Sequence, residues 1–169
     1  METGLILRVP EAEPLVGDLR ASLDPNAAEG VPAHVTVLYP FRPSEQIDAA
    51  VEARLTEIFR GIPAFDVSLL VIARFPGVLW LAPEPRAPID ALTRACVAAF
   101  PDCPPYGGAF ADPAPHLTVA IQEKEARLDQ AEARLRSRLS RPLRAHIGAV
   151  CLFENTAEGW REKARFPLG

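Results

Sequence analysis

The hydrophobic pattern divides the chain into stretches of strand-like and helix-like periodicity. Gly4 to Val9 is a short apolar run stopped by Pro10 and predicts a strand. Leu15, Leu19 and Leu23 then recur at helical spacing, with Pro14 in the first turn and a break at Asp24-Pro25. Residues 24–33 hold two prolines, Gly30 and few large apolar side chains, and predict a loop. A strand follows through His34-Val35-Thr36-Val37 and is closed by Pro40 and Pro43. Ser44 is the N-cap candidate for a helix bearing Ile47, Val51, Leu55, Ile58 and Phe59, which should end at Gly61 before Pro63. Phe65 to Phe75 and Val78 to Ala82, joined by Pro76-Gly77, predict a hairpin.

The second half repeats this grammar. Pro83 to Pro88 breaks the chain, and Ile89, Leu92, Cys96 and Phe100 mark an amphipathic helix. Pro101 to Pro115 carries five prolines and Gly107-Gly108, and predicts a long loop leading into a strand at His116-Leu117-Thr118-Val119. Leu128, Ala131, Leu135 and Leu139 give another helix face, left before Pro142. Leu143 to Phe153 predicts a strand, Glu154 to Gly159 a turn, and Trp160 to Phe166 a closing strand.

Aligned on the two His-x-Thr strands, the halves match element by element. Each motif is preceded by a strand, a helix and a proline-rich loop, and followed by a helix, a proline (Pro63, Pro142) and a hairpin. Phe75 and Phe153 fall near the end of each hairpin's first strand, and Trp80 and Trp160 sit in the returning strands, 46 and 44 residues after their histidines. This predicts an internal duplication of strand–helix–strand units with pseudo-twofold symmetry, which would place His34 and His116 as symmetry mates across a cleft. The repeat halves run roughly 1–82 and 78–169. Because Val78 to Ala82 closes one unit and opens the next, they are expected to intertwine into a single bilobal domain, 1–169.

Composition narrows the function. At 169 residues, 49% of them hydrophobic, the chain is long enough for one well-filled core. No apolar run reaches the roughly 20 residues needed to span a bilayer, and the first residues lack signal-peptide character. A cytoplasmic location, no membrane association and a monomeric state are expected. The net charge of −4 disfavours tight non-specific binding to long nucleic acid, while the arginines suit single phosphates or carboxylates. Cys96, Cys103 and Cys151 form no Cys-x-x-Cys pair and are expected as buried thiols.

Two of the three histidines lie in the motifs, each followed two positions later by threonine. In a strand, residues i and i+2 share a face, so each imidazole should point the same way as its hydroxyl. Two such strands converging on a phosphodiester would provide a base for the attacking oxygen, an acid for the departing one, and hydroxyl donors for the non-bridging oxygens. His34 and His116 are therefore the catalytic candidates, and Thr36 and Thr118 the phosphate-binding ones. Tyr39, Phe41, Arg42 and Tyr106 flank the motifs as possible substrate contacts, and Arg74 is a further candidate for reaching a phosphate. Neither motif supplies a second metal ligand nearby; Asp112, four residues before His116, is read as a turn or cap residue. No metal and no cofactor are expected. His146, outside the repeat, is read as structural.

His34-Val35-Thr36-Val37 and His116-Leu117-Thr118-Val119 resemble the paired His-x-Thr-hydrophobic signatures of the two-histidine (2H) phosphoesterase superfamily, whose members are labelled 2′-5′ RNA ligase-like or cyclic phosphodiesterases. Phe75-Pro76-Gly77-Val78-Leu79-Trp80-Leu81 is similar to the family's hairpin between the motifs, and Trp160 to Leu168 to its last strand. The resemblance implies an α+β fold of two pseudo-symmetric lobes, with antiparallel sheets around a central cleft and helices outside, which agrees with the duplication read above. It also implies metal-independent hydrolysis of a 2′,3′-cyclic phosphate, or related 2′-5′ or 3′-5′ phosphodiester chemistry, on RNA or a small nucleotide. His34 would protonate the leaving oxygen and His116 activate water, with the roles exchangeable. The alternative is an inactive nucleotide- or phosphate-binding module of the same fold. Bacterial RNA cyclic phosphodiesterases often carry an arginine soon after the second motif, where this chain has Ala120-Ile121-Gln122. A smaller nucleotide, or a cyclic phosphate on another scaffold, fits the charge better than RNA.

Overall fold

Two four-stranded antiparallel sheets carry the chain, and each draws two strands from either half of the sequence. The computed structural model describes residues 1–122 and 124–169. The first sheet runs in the order β2 (His34–Leu38), β1 (Thr3–Arg8), β7 (Ala149–Thr156), β8 (Gly159–Pro167). The second runs β5 (Leu117–Ile121), β4 (Val78–Glu84), β3 (Phe65–Phe75), β6 (Leu143–Ile147). The His-x-Thr strands β2 and β5 thus occupy matching edges, β1 matches β4, and β7 matches β3. The chain crosses between the sheets twice, from β2 to β3 and again within the stretch Leu143 to Phe153. Predicted as one strand, that stretch is two: β6 joins β3 in the second sheet, and after Gly148 β7 joins β1 in the first. An apolar run long enough for one strand reads the same whether it stays in a sheet or crosses between two, because periodicity carries no record of the partner.

Helices close the outer faces of the sheets with stripes close to the predicted ones, although the expected Leu15, Ile58 and Leu139 are only half-buried. In α1 (Glu13–Leu23), Val16, Leu19 and Leu23 are buried, with Pro14 in the first turn. Residues 24–33, predicted as loop, contain one further helical turn, α2 (Pro25–Ala28), capped by Asp24, whose side chain accepts from the Asn26 N–H. The helix after the first motif, α3 (Ala49–Arg60), starts later than predicted. Its N-cap is Asp48, which accepts from the Val51 N–H at 2.9 Å. Ser44, the predicted cap, is instead buried and donates to the Glu154 carboxylate on β7, a partner that local sequence could not indicate. Val51, Leu55 and Phe59 form the buried stripe of α3, and the helix ends at Gly61 as predicted. Helix α4 (Ala87–Ala99) buries Ile89, Leu92 and Cys96, and α5 (Glu125–Arg138) buries Leu128, Ala131 and Leu135.

The packing of these helices is exchanged between the sheets. Helix α1, which precedes the first motif, lies against β5 of the second, whereas α4, which precedes the second motif, lies against β2 of the first. Thr93 of α4 donates to the Val37 carbonyl at 2.8 Å, and the Gln122 side-chain amide donates to the Leu23 carbonyl at the end of α1 at 3.1 Å. Each motif strand is therefore buttressed by the other unit's helix. Val35, Val37, Leu117 and Val119 are buried between them.

Candidate active site

Alternation does at β2 and β5 what the sequence implies. With Val35 and Val37 turned into the core, His34 and Thr36 face the other way, and His116 and Thr118 repeat the arrangement over Leu117 and Val119. All four side chains line one cleft between the sheets, with a cavity volume of about 750 Å³, within the usual range for a small-molecule site. His116 lies near enough for its charge to bear on His34.

Each imidazole is oriented by its own motif. The ring Nδ1 of His34 lies 2.8 Å from the Pro32 carbonyl, and that of His116 lies 2.8 Å from the Ala114 carbonyl. A carbonyl only accepts, so each Nδ1–H donates to it, and Nε2 is left as the nitrogen that exchanges protons. The chain before His34 is fixed in turn. The Ala33 N–H donates to the Glu13 carboxylate at 2.7 Å, and the Ala33 carbonyl accepts from the Val9 N–H at 2.9 Å. Behind it lies the pair Arg20–Asp24, whose side chains are 2% and 1% exposed. Arg20 grips the Asp24 carboxylate at 2.8 and 3.1 Å and also donates to the Val31 carbonyl at 3.1 Å.

This environment favours the neutral form of both imidazoles. Burial pushes the His34 pKa down to about 4; the Pro32 carbonyl and the Asp24 carboxylate oppose the shift, and Arg20 and a protonated His116 add to it. Burial also lowers His116, opposed by the Ala114 carbonyl.

Aromatic rings form the walls. Tyr39, at the end of β2, meets Trp160 edge-on at 6.1 Å. On the other side His116 is boxed by Phe75 at 5.3 Å, Trp80 at 5.9 Å and Tyr106 at 6.4 Å, the last nearly parallel. Phe75 stacks on Trp80 at 4.6 Å, and Phe110, 62% exposed, meets Tyr106 edge-on at the mouth. The indole Nε1 of Trp80 is buried with no hydrogen-bond partner among the described residues; such a group costs about 1–3 kcal/mol. Tyr106 stands at φ 51°, followed by Gly107 at 62° and Gly108 at 80°. A side chain in this left-handed region costs about 1 kcal/mol or more. The turn is fastened to the first motif, because the Tyr106 N–H donates to the Tyr39 carbonyl at 2.6 Å. The glycines of the predicted loop provide a sharp turn that brings an aromatic ring back over His116.

Not every predicted contact belongs here. Phe41 is buried in the core, edge-on to Phe100 at 5.1 Å, and does not line the cleft. Arg42 spends its guanidinium on Asp102 at 3.0 Å and lies over the Phe100 ring. Arg74 is taken by Glu125, Asp129 and Glu132 of α5. His146 is exposed, between the buried Ala145 and Ile147 of β6, with its Nδ1 2.7 Å from the Asp66 carboxylate. Asp112 lines the cleft and accepts from Arg86 at 2.9 Å. The matched tryptophans are equivalent in chain order but not in space. Trp80 lies opposite Thr118, the place that Ile6 takes opposite Thr36, whereas Trp160 sits on the edge strand β8. Phe75 and Phe153 do correspond, opposite Val78 and Gly4 respectively, and both line the cleft.

Solved structures share this architecture over nearly the whole chain. TT0787 of Thermus thermophilus superimposes with a TM-score of 0.66 at 18% identity, covering 99% of this chain and 98% of that one. LigT of Escherichia coli in complex with 3′-AMP gives 0.62 at 18% identity over 99% and 97%. A crystal structure described as a phosphoesterase gives 0.58 at 17% identity over 99% and 98%. At these identities the likeness establishes the fold. No curated protein matches the chain in sequence. The family model of the 2′-5′ RNA ligase superfamily matches residues 9–159, a span that contains both His-x-Thr strands and the β3–β4 hairpin between them, and the chain belongs to that superfamily.

Proposed function

We propose that the protein is a metal-independent phosphodiesterase that opens a 2′,3′-cyclic phosphate, or a related 2′-5′ or 3′-5′ phosphodiester, of a nucleotide or RNA end by paired-histidine acid–base catalysis. The observation that carries this reading is the two-fold arrangement of His34-Thr36 and His116-Thr118 in one cleft, with both Nδ1 atoms tied to main-chain carbonyls. Family membership and the LigT complexes with 3′-AMP, NADP+ and ATP support nucleotide-sized phosphoesters as ligands.

In this mechanism Thr36 and Thr118 donate to the non-bridging phosphoryl oxygens, where charge grows in the transition state. His116 Nε2 takes a proton from water as its oxygen bonds to phosphorus. His34 Nε2–H gives a proton to the departing ribose oxygen as the P–O bond breaks, leaving a 2′-phosphate. The two rings hold one proton between them, and the roles exchange in the reverse direction. His34 resists charge in the free cleft, so the substrate's own anion is what allows it to carry the proton. The aromatic walls offer faces on which a base can stack.

The test is incubation with 2′,3′-cyclic nucleotides in excess chelator, followed by phosphorus NMR. The reading requires conversion to a single phosphomonoester. Binding without product would make the protein a nucleotide-binding module instead.

A further inference from the structure

The geometry points to a cleft matched to a phosphodiester that carries one negative charge on a neutral, ring-bearing body, and that disfavours ligands with additional phosphates. This inference rests on the proposed phosphodiester site and narrows its substrate class. Its first support is the charge of the lining. Among the described residues, the histidines aside, Asp112 is the only charged side chain that lines the cleft. The other polar groups there are neutral, and the walls are apolar or aromatic.

The second support is where the cations have gone. Four arginines next to the motif strands or to residues that line the cleft are each engaged by a carboxylate. Arg8 is 2.9 Å from Glu162, Arg42 3.0 Å from Asp102, Arg86 2.8 and 2.9 Å from Asp90 and Asp112, and Arg161 2.7 Å from Glu154. The third support is a second carboxylate near the aromatic wall, Glu2, which accepts from the Tyr39 hydroxyl at 3.2 Å. The positive charge the cleft itself can raise is therefore the proton held by the imidazole pair. One such charge balances one phosphodiester anion. Among the described residues that line the cleft, a further phosphate meets no lysine or arginine and lies in the field of Asp112 and Glu2, an arrangement that selects by leaving charge unpaired.

The experiment compares equilibrium binding, by calorimetry on the intact protein, of adenosine 2′,3′-cyclic phosphorothioate and the same compound with a 5′-phosphate, at low and high salt. The singly charged compound should bind at least about tenfold more tightly at low salt. The gap should narrow as salt screens the repulsion. Asp112→Asn, at an exposed side chain, should narrow it too by removing one carboxylate and releasing part of Arg86. Equal or tighter binding of the 5′-phosphorylated compound, a gap that widens with salt, or no binding of either compound overturns the inference. The predicted binding order without hydrolysis of the parent cyclic phosphate would instead leave the inference standing and refute the catalytic reading.

Discussion

Replacing Arg20 by methionine isolates the buried pair behind the first motif. The substitution keeps most of the side-chain volume but removes two hydrogen bonds to Asp24, at 2.8 and 3.1 Å, and one to the Val31 carbonyl at 3.1 Å. Asp24 then keeps a single donor, the Asn26 N–H at 3.1 Å, for a carboxylate that is 1% exposed. Removing one partner of such a pair costs about 3–5 kcal/mol, whereas replacing both by neutral groups is often close to neutral. Arg20→Met should therefore lose about 3–5 kcal/mol in urea unfolding, and Arg20→Met/Asp24→Asn should recover about 2–4 of it. On a typical stability of about 5–15 kcal/mol that loss is plain in the unfolding midpoint. A second readout separates this from a generic core defect. Arg20 is one of the charges that lower the His34 pKa, so proton NMR should show His34 titrating at higher pH in Arg20→Met. A loss below about 1 kcal/mol, additive single and double variants, or an unmoved His34 titration would refute the argument.

Three further outcomes follow from the same structure. Because both histidines titrate below their usual value, His34 at about 4, kcat/KM should peak below pH 6.5. Above the peak the free cleft holds no proton, below it both rings are charged, and an optimum above about pH 7 would contradict the assignment. Gly30 stands at φ 97°, and a Cβ there would meet the Trp160 carbonyl oxygen at 2.8 Å. Gly30→Ala should thus lower stability by at least about 1–2 kcal/mol and shift tryptophan fluorescence, and unchanged melting and emission would show that the contact does not position Trp160. Hydrogen bonds from Ser44 and Arg161 hold Glu154 at a pKa of about 2. Its folded pKa is depressed, so its contribution is present above the usual carboxylate range and is lost as pH falls from about 4.5 to 2. Glu154→Gln should remove at most about 3 kcal/mol of that acid dependence, read as a flatter stability curve over this range.

The four motif residues were legible because two signals agree: alternation puts each His and Thr on one face, and the surroundings repeat. What lies beyond the strands was not. Phe41 and Arg42 follow Pro40, where no periodicity constrains direction, and their partners Phe100 and Asp102 are tertiary. Arg20 lies outside the apolar stripe of Leu15, Leu19 and Leu23, yet it is buried with Asp24 beneath the chain that leads into the first motif. The aromatic box was half visible. Phe75, Phe153 and the tryptophans stood out as repeated positions, but only the sheet register shows that Trp80 holds the position equivalent to Ile6, and nothing local marks Phe110. The crossing at Gly148 was hidden for the same reason, since a strand's sequence does not name its sheet.

The central claim is that His34 and His116 act as one unit on one phosphodiester. The most direct measurement is the turnover of a 2′,3′-cyclic nucleotide by His34→Ala, His116→Ala and the double variant, with correct folding checked by circular dichroism. Groups that act together are strongly non-additive. Each single variant should lose at least about a thousandfold in kcat, and the double variant should be little worse than either. Losses that multiply, or turnover that survives in the double variant, would show that the pair is not the catalytic centre.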